Sequence, residues 1–167
     1  MDELRAFADL DGRVALVTGC GSPDGIGFAT ARLLGRQGAK VAITSTTERI
    51  QERVAELGDE GITASGHVAD LTDPDEAARV VAETVEIHGG LDILVNNAGM
   101  SQVGTEDLGR PFAELSPEEW QAGIDQNLNL TANVTRAALA DIAQAEGGRI
   151  VFVTSVTGPV VSAPGNP

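Results

Sequence analysis

The chain of 167 residues is 42% apolar and 22% charged, as ordinary globular domains are, and we expect residues 1–167 to form a single domain. Its 25 acidic and 11 basic residues give a formal net charge of −14, which argues against a nucleic acid or an anionic membrane as a partner. No apolar run reaches the roughly 18 residues of a membrane span, and the first residues lack the apolar core of a signal peptide, so a cytoplasmic location is expected.

Short apolar segments alternate with amphipathic segments along the chain. The apolar segments are short, rich in β-branched residues and bounded by turn residues, which predicts strands at residues 13–19, 40–45, 62–68, 91–99 and 149–155. Strands that alternate with helices form βαβ units, whose right-handed crossovers cover a parallel sheet on both faces. The predicted fold is therefore a doubly wound, Rossmann-type α/β sheet of five strands.

The helical segments show start signals and apolar stripes. Asp73 and Ser116 are predicted N-caps, and Glu76 and Glu119 are each predicted to complete a capping box. The helical segment that starts after Ser116 is predicted to run to about residue 145, with an interruption near residues 127–129. The first helix is predicted to direct one stripe toward the core, namely Ile26, Ala29, Leu33 and Leu34.

A glycine-rich turn, "TGCGSPDGIG", joins the first strand to the first helix. Gly19 and Gly21 would let the backbone bend tightly and approach a ligand, while Gly25 and Gly27 open the helix, whose free N–H groups suit a pyrophosphate. Because the turn follows a strand and opens a helix, it predicts dinucleotide binding; a purely structural turn is the alternative. Cys20 within this turn is expected to be a small filler residue rather than a reactive thiol.

Five segments occur in order, each at a strand or helix end: "TGCGSPDGIG", "VADLTD", "LVNNAG", "QNLNLT" and "GGRIVFVTSVTG". Together they resemble the short-chain dehydrogenase/reductase family over nearly the whole chain. The resemblance implies hydride transfer between a nicotinamide cofactor and a carbonyl or alcohol substrate, with a small ketone such as a 3-oxoacyl thioester as the family-level expectation. A keto-substrate reductase fits better than the enoyl-reductase branch, which lacks a matching "NNAG".

The resemblance assigns roles to residues of this chain. It implies that Asp70 holds the adenine, that Asn127 interrupts its helix to hold a proton-relay water, and that Ser155 hydrogen-bonds the substrate oxygen. The alternatives are a helix-interrupting polar residue for Asn127 and a strand-end hydroxyl for Ser155. No metal is expected. The implied cofactor site comprises Gly19, Gly21, Ser22, Gly25, Ile26, Gly27, Thr46, Asp70, Leu71, Asn97, Ala98 and Gly99.

The sequence departs from the family pattern in its glycine turn, which is longer than usual, and in its lack of a Tyr-x-x-x-Lys motif. The chain contains no tyrosine, and the family's tyrosine would be expected immediately after Pro167. Lys40, His67 and His88 are placed as structural residues and do not replace it. The chain is therefore expected to be a C-terminally incomplete cofactor-binding portion, without the family's last strands and lid and inactive alone. A complementing C-terminal polypeptide is its expected partner, because an apolar last strand would recruit another. The resemblance also implies a homo-oligomer, since the family's long helix lies in a subunit interface.

The second strand ends without an acid at Thr44, Ser45, Thr46 or Thr47. An acid there would bind the ribose 2′-hydroxyl of NAD, whereas Arg49 could meet the 2′-phosphate of NADP. NADP is therefore favoured over NAD, although Asp24 in the glycine turn counts against it. A non-catalytic nucleotide-binding or partner-binding protein is the alternative function.

Overall fold

A computed structural model describes residues 10–99 and 112–155 of the chain. Its five strands form one sheet in the order β3-β2-β1-β4-β5, and every neighbouring pair is parallel. This arrangement confirms the predicted doubly wound sheet. The strands are β1 (Val14–Val17), β2 (Lys40–Ser45), β3 (Ala64–Val68), β4 (Ile93–Asn96) and β5 (Arg149–Phe152).

Helices cover both faces of the sheet. α1 and α2 share a core with Ala15, Val17 and Ile43, whereas α3 and α5 pack with Leu16 and Leu94 on the opposite face. In the described parts of the chain, no helix combines the length and the apolar character needed to cross a membrane. The helices are α1 (Ile26–Arg36), α2 (Arg49–Asp59), α3 (Pro74–His88), α4 (Pro117–Ile124) and α5 (Leu130–Gln144), with a 3₁₀ turn at Phe112–Glu114 and a π-helical turn at Asp125–Asn129.

The core-facing side of α1 differs from the predicted stripe. Ile26 and Leu33 are 67% and 50% exposed, whereas Phe28 and Ala31 are fully buried. The cause lies at Gly27, which is also buried and lies against the turn after β1, where it fixes the rotation of the helix. Ala29 is exposed as well, so the prediction of an inward Ile26, Ala29 and Leu33 was wrong.

The predicted capping box at Ser116 is confirmed in full, whereas the one at Asp73 is confirmed only for the cap residue itself. Ser116 and Glu119 form the complete capping box, with the Ser116 amide donating to Glu119 Oε2 at 2.6 Å. Asp73 caps α3 by accepting a hydrogen bond from the Asp75 amide at 2.8 Å. The predicted box with Glu76 is wrong, because its carboxylate instead pairs with Arg79 at 2.6 Å.

Strand β5 lies at one edge of the sheet and pairs with β4. Val151 and Phe152 are 46% and 52% exposed, although both are apolar strand residues. An apolar strand at a sheet edge presents unpaired backbone groups and apolar side chains to any further strand that can pair with it.

Two buried histidines meet at the other edge of the sheet. The Ser65 hydroxyl lies 3.0 Å from His67 Nε2 and 2.9 Å from His88 Nε2, and His67 Nδ1 lies 2.8 Å from Glu83. Burial lowers the pKa of His88, and the nearby positive charges of Lys40 and His67 lower it further. His88 therefore stays neutral in the folded chain at a pH where it would take up a proton when unfolded.

This difference predicts a loss of stability on mild acidification. Below the ordinary histidine pKa of 6.5, the unfolded chain binds a proton that folded His88 does not, so the free energy of unfolding falls as the pH falls. In urea titrations between pH 7.5 and 5.5, His88→Gln, which keeps a polar partner for Ser65 but does not titrate, should lose less stability than the wild-type chain. Equal losses for the two proteins would contradict the prediction.

Candidate functional site

The order of the strands reverses between β1 and β4, since the chain moves outward to β2 and β3 before it returns to β4 on the other side of β1. In open parallel sheets, ligands bind outside the carboxyl ends of the strands at such a point. The turns that follow β1 and β4 meet there, and they contain most of the predicted site residues.

The Thr18 hydroxyl joins the two turns. Thr18 is completely buried at the end of β1, and its Oγ1 accepts hydrogen bonds from the Asn97 amide at 3.0 Å and the Ala98 amide at 2.9 Å. The same hydroxyl donates to the Val95 carbonyl at 3.4 Å. One side chain thus satisfies two backbone donors of the turn after β4, which fixes the path of that turn.

Asn97 makes the reciprocal connection to the turn after β1. Its Nδ2 donates to the carbonyls of Thr18 at 2.9 Å and Gly19 at 3.2 Å. A Cβ at Gly27 would lie 2.5 Å from Asn97 Nδ2 and 2.7 Å from the Gly19 carbonyl oxygen. Only glycine therefore allows α1 to start this close to both turns, and Gly19 itself has a positive φ of 73°.

Strand β2 supports the glycine turn from the other side. The Gly19 amide donates to Thr44 Oγ1 at 3.3 Å, and the Cys20 amide donates to the Thr44 carbonyl at 2.7 Å. Burial raises the pKa of the Cys20 thiol to about 12, so the thiol stays protonated, as expected of a filler residue. Gly21 lies against Ser45, where a Cβ would come 3.0 Å from the Ser45 Cβ.

The N-terminus of α1 has neither a side-chain cap nor an acid in its first turn. The starts of α3 and α4 have both, through Asp73 and Ser116 and the acids that follow them. The first-turn N–H groups and positive dipole end of α1 are thus left for an anion, at the point where the strand order reverses. The residues present fit a pyrophosphate, with Ser22 and Ile26 exposed beside the helix start.

Asp70 lies in the loop after β3. It is exposed, and its Oδ1 accepts hydrogen bonds from the Thr72 amide at 3.0 Å and the Thr72 hydroxyl at 2.7 Å. The neighbouring Leu71 side chain is 3% exposed and belongs to the core. Any contact of Leu71 with a cofactor would therefore have to come from its backbone.

The end of β2 adjoins this loop, because the Ala69 amide donates to the Ser45 carbonyl at 3.0 Å. Thr46 is exposed there. The exposed Arg49 guanidinium donates through Nε to Thr47 Oγ1 at 3.2 Å. Glu48, the N-cap residue of α2, is the acid nearest to this strand end in sequence.

The predicted helix interruption is confirmed as the π-helical turn between α4 and α5, and it contains Asn127. Asn127 Nδ2 donates to the Gly123 carbonyl at 3.0 Å, and a Cβ at Gly99 would lie 3.1 Å from Asn127 Oδ1. The structure thus brings Asn127 next to the turn after β4. Ser155 is exposed in the segment beyond β5, and the predicted loop that follows it lies outside the described residues.

Lys40 lies at the opposite end of the sheet. It starts β2, and its Nζ donates to the His88 carbonyl at 3.1 Å, at the C-terminus of α3. It is therefore far from the carboxyl ends of the strands.

Sequence reasoning did not select Thr18, Thr44 or Asn133, although each holds a loop of the site. For Thr18 and Thr44 a signal was present, since each is a hydroxyl residue at the end of a predicted buried strand. Asn133 gave no local signal, because its partners lie 61 and 62 residues away in the chain.

Comparison with known proteins identifies the family of the chain. A short chain dehydrogenase family model matches residues 13–166. A dehydrogenase/reductase SDR family member 4 from Bos taurus is 39% identical over 152 residues, which are 88% of this chain and 50% of that protein. The chain spans about half the length of the curated relatives it matches.

Two solved structures share the fold. A dehydrogenase/reductase from Sinorhizobium meliloti 1021 aligns with a TM-score of 0.86 and 32% identity over 99% of this chain and 62% of that one. A short chain dehydrogenase from Burkholderia cenocepacia J2315 in complex with NADP aligns with a TM-score of 0.77 and 37% identity over 89% of this chain and 57% of that one.

The role of Thr18 can be tested by Thr18→Val, which removes the acceptor of two backbone amides without changing the side-chain shape. We expect a loss of about 2–4 kcal/mol in the free energy of unfolding, since each unsatisfied buried donor costs about 1–3 kcal/mol. Thr18→Ser should recover most of this loss in the same urea titration.

The matched control is Thr84→Val, because Thr84 is equally buried but its hydroxyl donates only within its own helix, to the Val80 carbonyl. This variant should cost less than about 1 kcal/mol, because no donor is left unpaired. Similar losses in Thr18→Val and Thr84→Val would show that the Thr18 hydroxyl has no special role in joining the turns.

Proposed function

The chain belongs to the short chain dehydrogenase family, and we propose that it provides the nicotinamide-dinucleotide site of an oxidoreductase that acts on a carbonyl or alcohol substrate. One observation carries the proposal: the uncapped, acid-free start of α1 lies where the turns after β1 and β4 are hydrogen-bonded together. That arrangement offers a fixed array of N–H donors to a pyrophosphate, the group that joins the two nucleotides of a dinucleotide.

The proposed contacts follow the carboxyl ends of the strands. The amides that follow Gly25 would bind the pyrophosphate, Asp70 the adenine, and the turn from Asn97 to Gly99 a ribose. A bound nicotinamide would supply or accept the hydride. Of the groups near the substrate, Ser155 would hydrogen-bond its oxygen, and Asn127 would hold the water through which a proton leaves or arrives.

We further propose that NADP is preferred over NAD. Arg49 is a cation that could meet a 2′-phosphate near the end of β2, and the residues from Thr44 to Thr47 include no acid. The solved short chain dehydrogenase from Burkholderia cenocepacia J2315 is in complex with NADP, which supports the choice here.

Arg49→Gln should therefore weaken NADPH binding about tenfold and leave the Kd of NADH unchanged, because a hydrogen bond to a charged group contributes about 1.5–3 kcal/mol. Isothermal titration of both cofactors measures the two effects. Arg36→Gln is the matched control, since it removes the same charge from an exposed arginine that pairs with Glu60 at the other end of α1. Tighter binding of NADH than of NADPH by the wild-type chain would contradict the preference.

The chemistry needs an acid/base that the chain does not itself contain, since it has no tyrosine and its Lys40 lies at the far end of the sheet. We propose that further polypeptide, either continuous with this sequence or separate from it, adds a strand to β5 and supplies this group. The exposed apolar edge at Val151 and Phe152 supports such a partner. The second candidate function is a nucleotide-binding or partner-binding protein without catalysis.

The 167-residue chain alone should bind NADPH but should not oxidise it with a small ketone. Addition of a polypeptide that contains the Tyr-x-x-x-Lys half of a family member should restore a measurable rate, because general acid–base catalysis contributes typically about 10²–10⁴-fold. A matched polypeptide with phenylalanine in place of that tyrosine is the control. Activity of the chain alone would refute the proposed dependence, and tight NADPH binding without activity in any mixture would favour the second candidate.

A further inference from the structure

Few polar contacts tie the loop that carries Asp70 to the other described elements, and one of them is the Ala69 amide, which donates to the Ser45 carbonyl at 3.0 Å. Arg79 Nη2 donates to the Val68 carbonyl at 2.9 Å, before the loop begins, and the Asp73 amide donates to the Asp70 carbonyl at 3.0 Å within it. Leu71 anchors the loop in the core through its side chain. The amide and the hydroxyl of Thr72 both donate to the Asp70 carboxylate. None of the contacts named above reaches the Thr72 carbonyl.

Asn133 of α5 makes that missing contact. Its Nδ2 donates to the Thr72 carbonyl at 3.0 Å and to the Leu71 carbonyl at 3.3 Å. The side-chain amide thus holds two consecutive peptide groups of the loop from a different element of the fold. Because Thr72 in turn holds Asp70 Oδ1, the contacts run in sequence from Asn133 through Thr72 to Asp70.

We propose that Asn133 is a positioning residue that fixes the Asp70 carboxylate for recognition of the adenine amino group; this inference rests on the proposed dinucleotide site. A carboxylate with Oδ1 held by two donors presents its other oxygen in one direction, which suits a single N–H donor of a ligand. Without Asn133, the Leu71 and Thr72 carbonyls lose their side-chain donor, so the loop holds Asp70 less firmly in its orientation, while the pyrophosphate site at α1 stays intact.

The test compares NADPH with its hypoxanthine analogue, in which a carbonyl oxygen replaces the adenine amino group. The wild-type chain should bind NADPH about tenfold more tightly than the analogue in isothermal titration, because the analogue places an acceptor oxygen where the adenine amino group would donate to Asp70. In Asn133→Ala this ratio should fall to about threefold or less. The Kd of the analogue should stay the same, so that the change lies in adenine recognition and not in general affinity.

Thr72→Val breaks the same chain of hydrogen bonds from Asn133 to Asp70 at a different residue, so its result does not depend on any effect of Asn133→Ala on folding. It should reduce the ratio of the two Kd values by the same factor. The double variant should show no further reduction, since both changes break one pathway. Thr135→Val is the matched control on α5. It breaks the hydrogen bond from Asn96 Nδ2 to Thr135 Oγ1 at 3.0 Å, so it should lower the melting temperature but keep the wild-type ratio.

The outcomes separate this inference from the proposed function. No binding of either nucleotide to the wild-type chain would overturn both. Binding of both with equal affinity would leave the dinucleotide site standing and overturn the role of Asp70 and Asn133. A wild-type ratio retained in both Asn133→Ala and Thr72→Val, or lost equally in Thr135→Val, would overturn the positioning role of Asn133 alone.

Discussion

The hydrogen bonds between Thr18 and the turn after β4 are the constraint on which the site depends. A parallel sheet aligns its strands but leaves the turns beyond their carboxyl ends without ladder partners. Here a buried hydroxyl accepts from the Asn97 and Ala98 amides, and Asn97 donates back to the Thr18 and Gly19 carbonyls. The two turns therefore behave as one unit, and because buried backbone groups must be paired, alternative paths for either turn are unfavourable.

The two hydrogen-bonded turns after β1 and β4 determine where α1 begins. Gly27 must lie against Asn97 and the Gly19 carbonyl, so α1 starts at the reversal point with its first N–H groups uncapped. On the opposite face, α5 reaches the loop after β3 through Asn133, which donates to the Thr72 carbonyl. The proposed pyrophosphate and adenine sites are thus built from the same few strand ends, held from both faces of the sheet.

The sequence predicts the parts of this arrangement that are local. Strand and helix alternation, the capping box at Ser116 and the helix interruption near Asn127 depend on residues close together in the chain, and all are present. The inward face of α1 was mispredicted, because tertiary contact at Gly27 outweighs the apolar periodicity that includes Ile26 and Leu33. The Asn133 contacts join residues 61 and 62 positions apart, and no local pattern encodes such a distance.

The proposed nucleotide site and the proposed proton-transfer groups lie at different parts of the sheet. The groups that fix the glycine turn belong to β1, β2 and β4, which are the buried centre of the sheet. Ser155 instead follows the exposed edge strand β5, and Asn127 lies in an exposed π-helical turn. A change at the β5 edge, such as the addition of a further strand, would first affect the part of the proposed site that contains Ser155. The turns of the proposed pyrophosphate site are already hydrogen-bonded to the central strands. They therefore keep their shape whether or not the β5 edge is covered.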